Sequence, residues 1–246
     1  MAKQVVPLYR LANAESGEVI LTASAMTGFF VSHVGVPSEK IIFSSASLDS
    51  SCAMGTPVDD IELQVLDVRG EVLGSYYVGR VLLRAADSCE ESKDLTNVVA
   101  SFYGYSSPYP HANEVWQRWA SLEPVKLGEW HQWPTAWLHV AQKVWFRSGH
   151  SAKKYGSETD VAINGAEIYS EDGFFCALGE SVNGPGGYYG ATLSGLADCL
   201  SGSQGVNFPF RLHWKEISSS KISLGWEFVD HASSVLTDAG VLVVFE

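Results

Sequence analysis

The segment of this sequence with the clearest chemical potential is a glycine-rich loop that carries two tyrosines and leads into a short helix. It reads Asn183-Gly-Pro-Gly-Gly-Tyr-Tyr-Gly-Ala-Thr-Leu-Ser-Gly-Leu-Ala-Asp-Cys-Leu-Ser-Gly202, and Asp198 is its only charged residue. A loop rich in glycine and proline has little structural reason to carry paired aromatic rings unless those rings contact something. The segment therefore indicates a protein that binds a partner rather than one that turns over a substrate.

Each of these residues also has a plain structural interpretation. Asp198 can be an ordinary solvated helix acid, and Tyr188 and Tyr189 can pack over the edge of a sheet. We expect one tyrosine to pack in this way and Tyr188 to be the exposed one. Cys199 is expected in the core rather than as a reactive thiol. Three loop glycines can serve backbone geometry alone: Gly184, Gly186 and Gly187.

The elements that must position this segment alternate between apolar strands and helices from residue 160 onward. Ser170 and Thr192 are candidate N-caps of two helices, and a third helix is predicted over Glu227–Asp238. The predicted strands are Asp160–Ile163, Phe208–Trp214 and Val241–Phe245. Apolar runs that alternate with helices imply a parallel sheet covered by helices.

Two stretches of this region resemble the barstar family, the intracellular inhibitors of the ribonuclease barnase. They are Ile163-Asn-Gly-Ala-Glu-Ile168 and Tyr188-Tyr-Gly-Ala-Thr-Leu-Ser-Gly-Leu-Ala-Asp-Cys-Leu-Ser-Gly202. The resemblance covers residues 160–246, about a third of the chain. It implies a three-stranded parallel sheet whose second helix and preceding loop occlude the active site of a small basic ribonuclease. It also implies a 1:1 complex and no cofactor.

The resemblance further implies which residues bind the partner. The family's aspartate at the position of Asp198 occupies the phosphate site of the nuclease, and Tyr188 matches a tyrosine that stacks there. A fixed carboxylate can replace a phosphate because a ribonuclease active site gathers cationic side chains. The candidate partner-binding residues are Gly187, Tyr188, Tyr189, Gly190, Thr192, Ser194, Ala197, Asp198, Ser201 and Gly202.

The sequence departs from the family pattern at several contact positions. Ser194 stands where the family has an acidic residue, Ala197 where it has a tryptophan, and Thr192 where it has an asparagine. The family's second acidic contact falls near Ser234, with Asp238 one turn later. These differences argue against tight binding to barnase itself and favour a different guanyl-type nuclease.

The charge of the chain is concentrated in its C-terminal third. The whole chain has 28 acidic and 16 basic residues, a net charge of −12. Residues 160–246 hold eleven acids against Arg211, Lys215 and Lys221, an excess of eight. Such a field repels nucleic acid and membrane surfaces and speeds encounter with a basic protein. The alternative is that acidity only maintains solubility.

Compartment is inferred from the cysteines and the N-terminus. The four cysteines are too few and too scattered for a disulfide framework: Cys52, Cys89, Cys176 and Cys199. The N-terminus shows no secretory signal, and no run of about 18 apolar residues suggests a spanning helix. We therefore expect reduced thiols and a cytoplasmic protein. The resemblance to the barstar family further implies a role in immunity to a ribonuclease.

The N-terminal region is predicted to be a β-rich domain over residues 1–150, followed by the barstar-like domain over 158–246. This is an α+β or α/β fold class overall. A hairpin turn is expected at Asp67–Gly70, long loops over 46–60 and 85–94, and a linker over 148–157. Tryptophan-rich helices are expected over 111–121 and 134–148. The predicted strands are 5–9, 19–22, 29–34, 40–43, 61–68, 72–83 and 98–105.

Two other functions remain open at this point. The barstar-like fold can be an interaction module that binds a different basic protein. Less favoured is an enzyme that uses His111, His131 or His139 in a tryptophan-walled pocket of the N-terminal domain. No metal-binding or nucleotide-binding motif occurs, and His139 shares a polar helix face with Lys143 and Arg147. We therefore expect a surface or boundary position for His139, no metal and no enzymatic activity.

Overall fold

The computed structural model describes residues 7–31, 40–49, 54–86, 96–103, 109–148, 160–203 and 210–246. The chain forms two compact units, Met1–Glu123 and Pro124–Glu246. Residues 149–157 of the predicted linker lie outside the described residues. The boundary between the units falls before the second tryptophan-rich helix, so that helix belongs to the same unit as the C-terminal third of the chain. The domain predicted from the sequence over residues 1–150 instead includes that helix with the β-rich region.

The first unit is an antiparallel barrel followed by one helix. The sheet order is β2-β1-β5-β6-β7-β4-β3, and an additional pairing of β2 with β4 closes the ring. This confirms the β-rich first region. The elements are β1 (Tyr9–Asn13), β2 (Val19–Ala23), β3 (Ala25–Thr27), β4 (Ile41–Leu48), β5 (Pro57–Leu66), β6 (Val72–Ala85), β7 (Thr96–Phe102) and α1 (Ala112–Ala120).

Side-chain alternation and turn chemistry explain the long hairpin of this unit. In β5, Ile61, Leu63 and Val65 are fully buried, as a strand with one face in a core requires. The predicted turn that follows is confirmed, because the Asp67 amide donates to Glu71 O and the Gly70 amide donates to Asp67 O. The Asp67 carboxylate accepts from the amides of Arg69 and Glu71, which holds the turn.

Some predicted boundaries in this unit are wrong. The loop expected over 46–60 is shorter, since both of its ends lie in strands. Ala46 pairs with Thr96, and Val58 pairs with Val81. Pairing with a neighbouring strand overrides the turn-forming composition of those residues. In the strand expected over 29–34, Phe30 forms a single bridge and residues 32–34 lie outside the described residues.

The second unit is a three-stranded parallel sheet with helices. Strands β8 (Asp160–Asn164), β9 (Arg211–Lys215) and β10 (Leu242–Phe245) pair in the order β8-β9-β10, both pairs parallel. This confirms the predicted sheet. The helices are α2 (Pro134–Ser148), α3 (Glu171–Asn183), α4 (Leu193–Asp198), α5 (Ile217–Leu224) and α6 (Trp226–Asp238), with 3₁₀ turns at Glu129–Gln132 and Gly165–Glu167. Among the described residues, none of the helices is both long and apolar enough to cross a membrane.

An aromatic cluster forms the centre of this unit and explains one unpredicted helix. Phe174 of α3 stacks on Trp214 of β9 with ring centroids 5.0 Å apart, and Phe228 of α6 meets Phe174 edge-on at 5.4 Å. The Trp214 indole donates to Ser220 Oγ at 2.9 Å. This buried bond fixes α5, whose serine-rich sequence has little helix propensity of its own.

Candidate partner-binding site

The loop between α3 and α4 is held against both helices through glycines. A Cβ atom at Gly187 would lie 2.5 Å from Gly179 O, so only glycine allows this close approach to α3. Gly190 has a φ of +92°, and a Cβ there would lie 2.7 Å from the Leu196 amide nitrogen. The Asn183 side chain donates to Tyr188 O at 2.7 Å. These candidate glycines therefore shape the loop.

Helix α4 has one buried and one exposed face. Thr192 caps it, since its Oγ1 accepts from the Gly195 amide at 3.0 Å, as the sequence predicts. Leu196, Cys199 and Leu200 are buried at helical spacing. A π-helical turn over Cys199–Ser203 extends the helix and contains candidate residue Gly202. The exposed face carries four candidate residues: Ser194, Ala197, Asp198 and Ser201.

The exposed face of α4 offers a single charge among small side chains. Asp198 is the only charged residue between positions 193 and 203. The Ser201 hydroxyl donates to Asp198 O at 2.7 Å, which ties the turn to the end of the helix. A partner can approach the helix closely because the neighbouring side chains are short. The exposed face of α4 thus presents one carboxylate among short side chains.

Both loop tyrosines are buried, so the prediction of an exposed Tyr188 is wrong. Tyr188 is 5% exposed and Tyr189 is fully buried. Burial raises the pKa of both phenols above their ordinary value. Tyr188 is buried because helix α2 packs against it. Gln142 Nε2 donates to the Tyr188 hydroxyl at 3.3 Å, and two rings of α2 lie on the phenol, those of Trp145 at 6.0 Å and Phe146 at 6.1 Å.

Helix α2 and the 3₁₀ turn before it contact a row of residues, here called the stripe, on one face of α3. The stripe consists of Asp172, Cys176 and Glu180, spaced by four residues. Asp172 accepts a hydrogen bond from the Thr135 hydroxyl, and the Cys176 thiol donates to Pro134 O at 3.5 Å. These contacts place α2 in the second unit. The sequence did not predict them, because α2 lies before the segment that resembles barstar.

The third residue of the stripe anchors the turn that precedes α2. The Glu180 carboxylate accepts from the Gly128 amide at 3.0 Å and from the Trp130 indole at 3.1 Å. Burial raises the pKa of Glu180, and these two hydrogen bonds counteract part of that effect. The turn therefore docks on α3 through a half-buried carboxylate.

The histidines of the enzymatic alternative lie in different settings. His111 is the N-cap residue of α1 in the first unit, and its side chain is half-exposed. His131 stacks on Trp130 with ring centroids 3.8 Å apart and lies 3.7 Å from a Glu167 oxygen, in a cleft of about 540 Å³. Among the described residues, no group of three His, Cys, Asp or Glu side chains is placed to hold a metal ion.

His139 is buried, so the surface or boundary position predicted for it is wrong. It is 7% exposed, and burial lowers its pKa to about 3, with the nearby charge of Lys143 contributing. The physical reason is that α2 is buried on every side from Ala136 to Ala141. The apparent polar face of the helix is therefore interrupted at this position, and the imidazole is neutral at physiological pH.

Both cysteines in the described residues are free and buried, Cys176 and Cys199. Burial raises the pKa of Cys199 to about 11, with the neighbouring Asp198 charge adding to the shift. The burial of Cys199 confirms the core position predicted for it. A protonated thiol in a core is unreactive. Cys52 and Cys89 lie outside the described residues.

These features define a class of protein: a small module with a three-stranded parallel sheet, its helices, and a short helix with one exposed carboxylate next to a glycine-rich loop. The family model for barstar, the barnase inhibitor, matches residues 159–241 of the chain. The match coincides with β8 to α6 and confirms the resemblance read from the motifs. Among curated proteins, none matches this chain.

Proposed function

We propose that the second unit inhibits a small basic ribonuclease by covering its active site with the exposed face of α4. The observation that carries this proposal is that Asp198 is the single charged residue of α4 and lies exposed on a face of small residues. The barstar match supports the broader assignment to a barnase-inhibitor-type protein-interaction module. That family is an inhibitor family and has no enzymatic activity of its own.

The chemistry follows from what a ribonuclease active site must contain. Such a site holds a phosphodiester with cationic side chains, so a rigid carboxylate can take the place of the phosphate in charge-assisted hydrogen bonds. Ser194, Ala197 and Ser201 are small enough to let the pocket rim approach the helix. The excess of eight negative charges over residues 160–246 would steer a basic enzyme toward this face.

The candidate residues divide into two roles in this proposal. The exposed ones contact the nuclease: Thr192, Ser194, Ala197, Asp198 and Ser201. The others shape the loop that supports α4: Gly187, Tyr188, Tyr189 and Gly190. Gly202 closes the segment. A cytoplasmic inhibitor of this kind would form a 1:1 complex and protect its host's RNA.

The test is inhibition of purified guanyl-specific ribonucleases by the full chain. We expect stoichiometric inhibition of at least one enzyme in a panel, and Asp198→Ala should weaken it by about a hundredfold or more. Asp198→Asn separates the charge from the shape. Glu15→Ala, which removes an exposed carboxylate from the first unit, should change inhibition by less than about twofold. Full inhibition by Asp198→Ala would contradict the mechanism.

A second candidate function is an interaction module for a basic protein other than a ribonuclease. The observation that favours it is the burial of Tyr188, since the family's stacking tyrosine is unavailable on this surface. Affinity capture with the wild type and with Asp198→Ala distinguishes the two. Asp198-dependent capture of a basic protein without nuclease activity, together with no inhibition in the panel, would favour the module.

A further inference from the structure

We propose that Phe146, on helix α2 and outside the family segment, is the aromatic anchor of the partner-binding surface. The partner is the basic ribonuclease of the proposed function, on which this inference rests. The surface then consists of the exposed face of α4 together with the ring of Phe146. Phe146 and α4 are linked through Tyr188, which contacts both.

Tyr188 joins the two helices. On one side its ring contacts Phe146 at a centroid distance of 6.1 Å and its hydroxyl accepts from Gln142. On the other side its hydroxyl lies against α4, because a Cβ at Gly195 would be 3.9 Å from that oxygen. The charge of Asp198 also contributes to the raised pKa of the Tyr188 phenol. Phe146 and α4 therefore flank the same buried ring.

Phe146 is the member of this aromatic group that a partner can reach. Its side chain is 67% exposed, whereas Tyr188 is 5% exposed and Trp145 is only partly exposed. A single exposed aromatic residue is unremarkable on its own. This one contacts the Tyr188 ring, which supports the candidate site, and most of the residue is open to the solvent.

The exposed face of α4 lacks a residue that could play this part. Its exposed side chains are Ser194, Ala197, Asp198 and Ser201, which offer charge and close approach but little apolar area. Energetically dominant interface residues are most often aromatic or arginine, seated in a pocket of the partner. Arg147, next to Phe146, is exposed and positive, so its charge does not attract a basic partner. This end of α2 can therefore contribute to binding only through the apolar contact of Phe146.

The experiment measures binding of the full chain and its variants to the ribonucleases of the same panel. We expect Phe146→Ala to raise the dissociation constant roughly thirtyfold, and Phe146→Tyr to restore most of the affinity. Tyr169→Ala removes an aromatic ring that is 75% exposed and precedes α3, and should change affinity by less than about twofold. Unchanged thermal unfolding of Phe146→Ala shows that the loss lies in the interface.

Two results would overturn the inference, and they are distinguishable. Wild-type-like binding by Phe146→Ala, with Asp198→Ala weakened, would leave the proposed function intact and remove Phe146 from the surface. Absence of binding by the wild type to every enzyme in the panel would overturn the proposed function and this inference together. If Phe146→Ala weakens binding but also unfolds α2, Phe146→Leu decides, because it keeps an apolar contact with Tyr188 but lacks the ring.

Discussion

Helices α2 and α4 both contact Tyr188, yet their surfaces are opposite in character. Helix α2 is fifteen residues long, aromatic, and buried on every side over Ala136–Ala141. Helix α4 has six residues, one capping threonine, and a face of small side chains around Asp198. Over Ala136–Ala141 the first helix is a buried structural element, whereas the exposed face of the second is the candidate binding element, to which the proposed surface adds Phe146 at the exposed end of α2.

Contact with buried elements can keep the short, exposed helix α4 rigid. A six-residue helix is too short to be stable alone, so its position depends on what it packs against. Here the supports are α6, the glycine loop and Tyr188, and α2 holds Tyr188 in turn. Preorganisation of this kind lowers the entropic cost of ordering the surface when a partner binds.

The strongest test of this arrangement is removal of the shared ring. Tyr188→Ala should destabilise the second unit by about 4 kcal/mol, because it deletes a buried aromatic ring between two helices. Amide hydrogen exchange in the full chain should show loss of protection in both α2 and α4. Tyr188→Phe, which loses only the hydrogen bond from Gln142, should cost about 1 kcal/mol. Loss of protection in α4 alone would show that α2 does not depend on this contact.

A second prediction concerns the buried imidazole of α2. The pKa of His139 is about 3 in the folded chain, below the unfolded value of 6.5. The unfolded state therefore binds an additional proton below pH 6.5, and stability should fall as the pH is lowered from there. Relative to His139→Gln, the wild type should lose about 2 kcal/mol between pH 7.5 and pH 5.

The measurement for His139 is denaturant unfolding of both proteins across that pH range. Subtracting the His139→Gln profile removes the contribution of the carboxylates, which titrate in both proteins. Parallel profiles for the two proteins would mean that the imidazole titrates normally and that α2 is more open at this position. Such a result would also weaken the contrast between a buried α2 and an exposed α4.

How much of this could be predicted from the sequence depends on whether local or long-range contacts decide the structure. The caps at Ser170 and Thr192, the parallel sheet and helix α2 were all predicted, since periodicity and capping chemistry are local. The burial of Tyr188 and His139 could not be predicted. Tyr188 is covered by α2, which also packs on α3, and both contacts join segments more than 40 residues apart in sequence. The tryptophans between residues 116 and 145 predicted an aromatic core packed against the sheet of the β-rich region, and for α2 this is wrong, because α2 packs on α3.

The smallest expected effect is at the cap of α4. Thr192→Ala should cost about 1 kcal/mol, because the Gly195 amide loses its side-chain acceptor at the start of the helix. Thr192→Ser keeps that acceptor and should cost little. Since α2 does not depend on this cap, hydrogen exchange should speed up in α4 and remain unchanged in α2. Faster exchange in both helices would mean that the binding element and its support unfold together, and the division of roles between them would then be wrong.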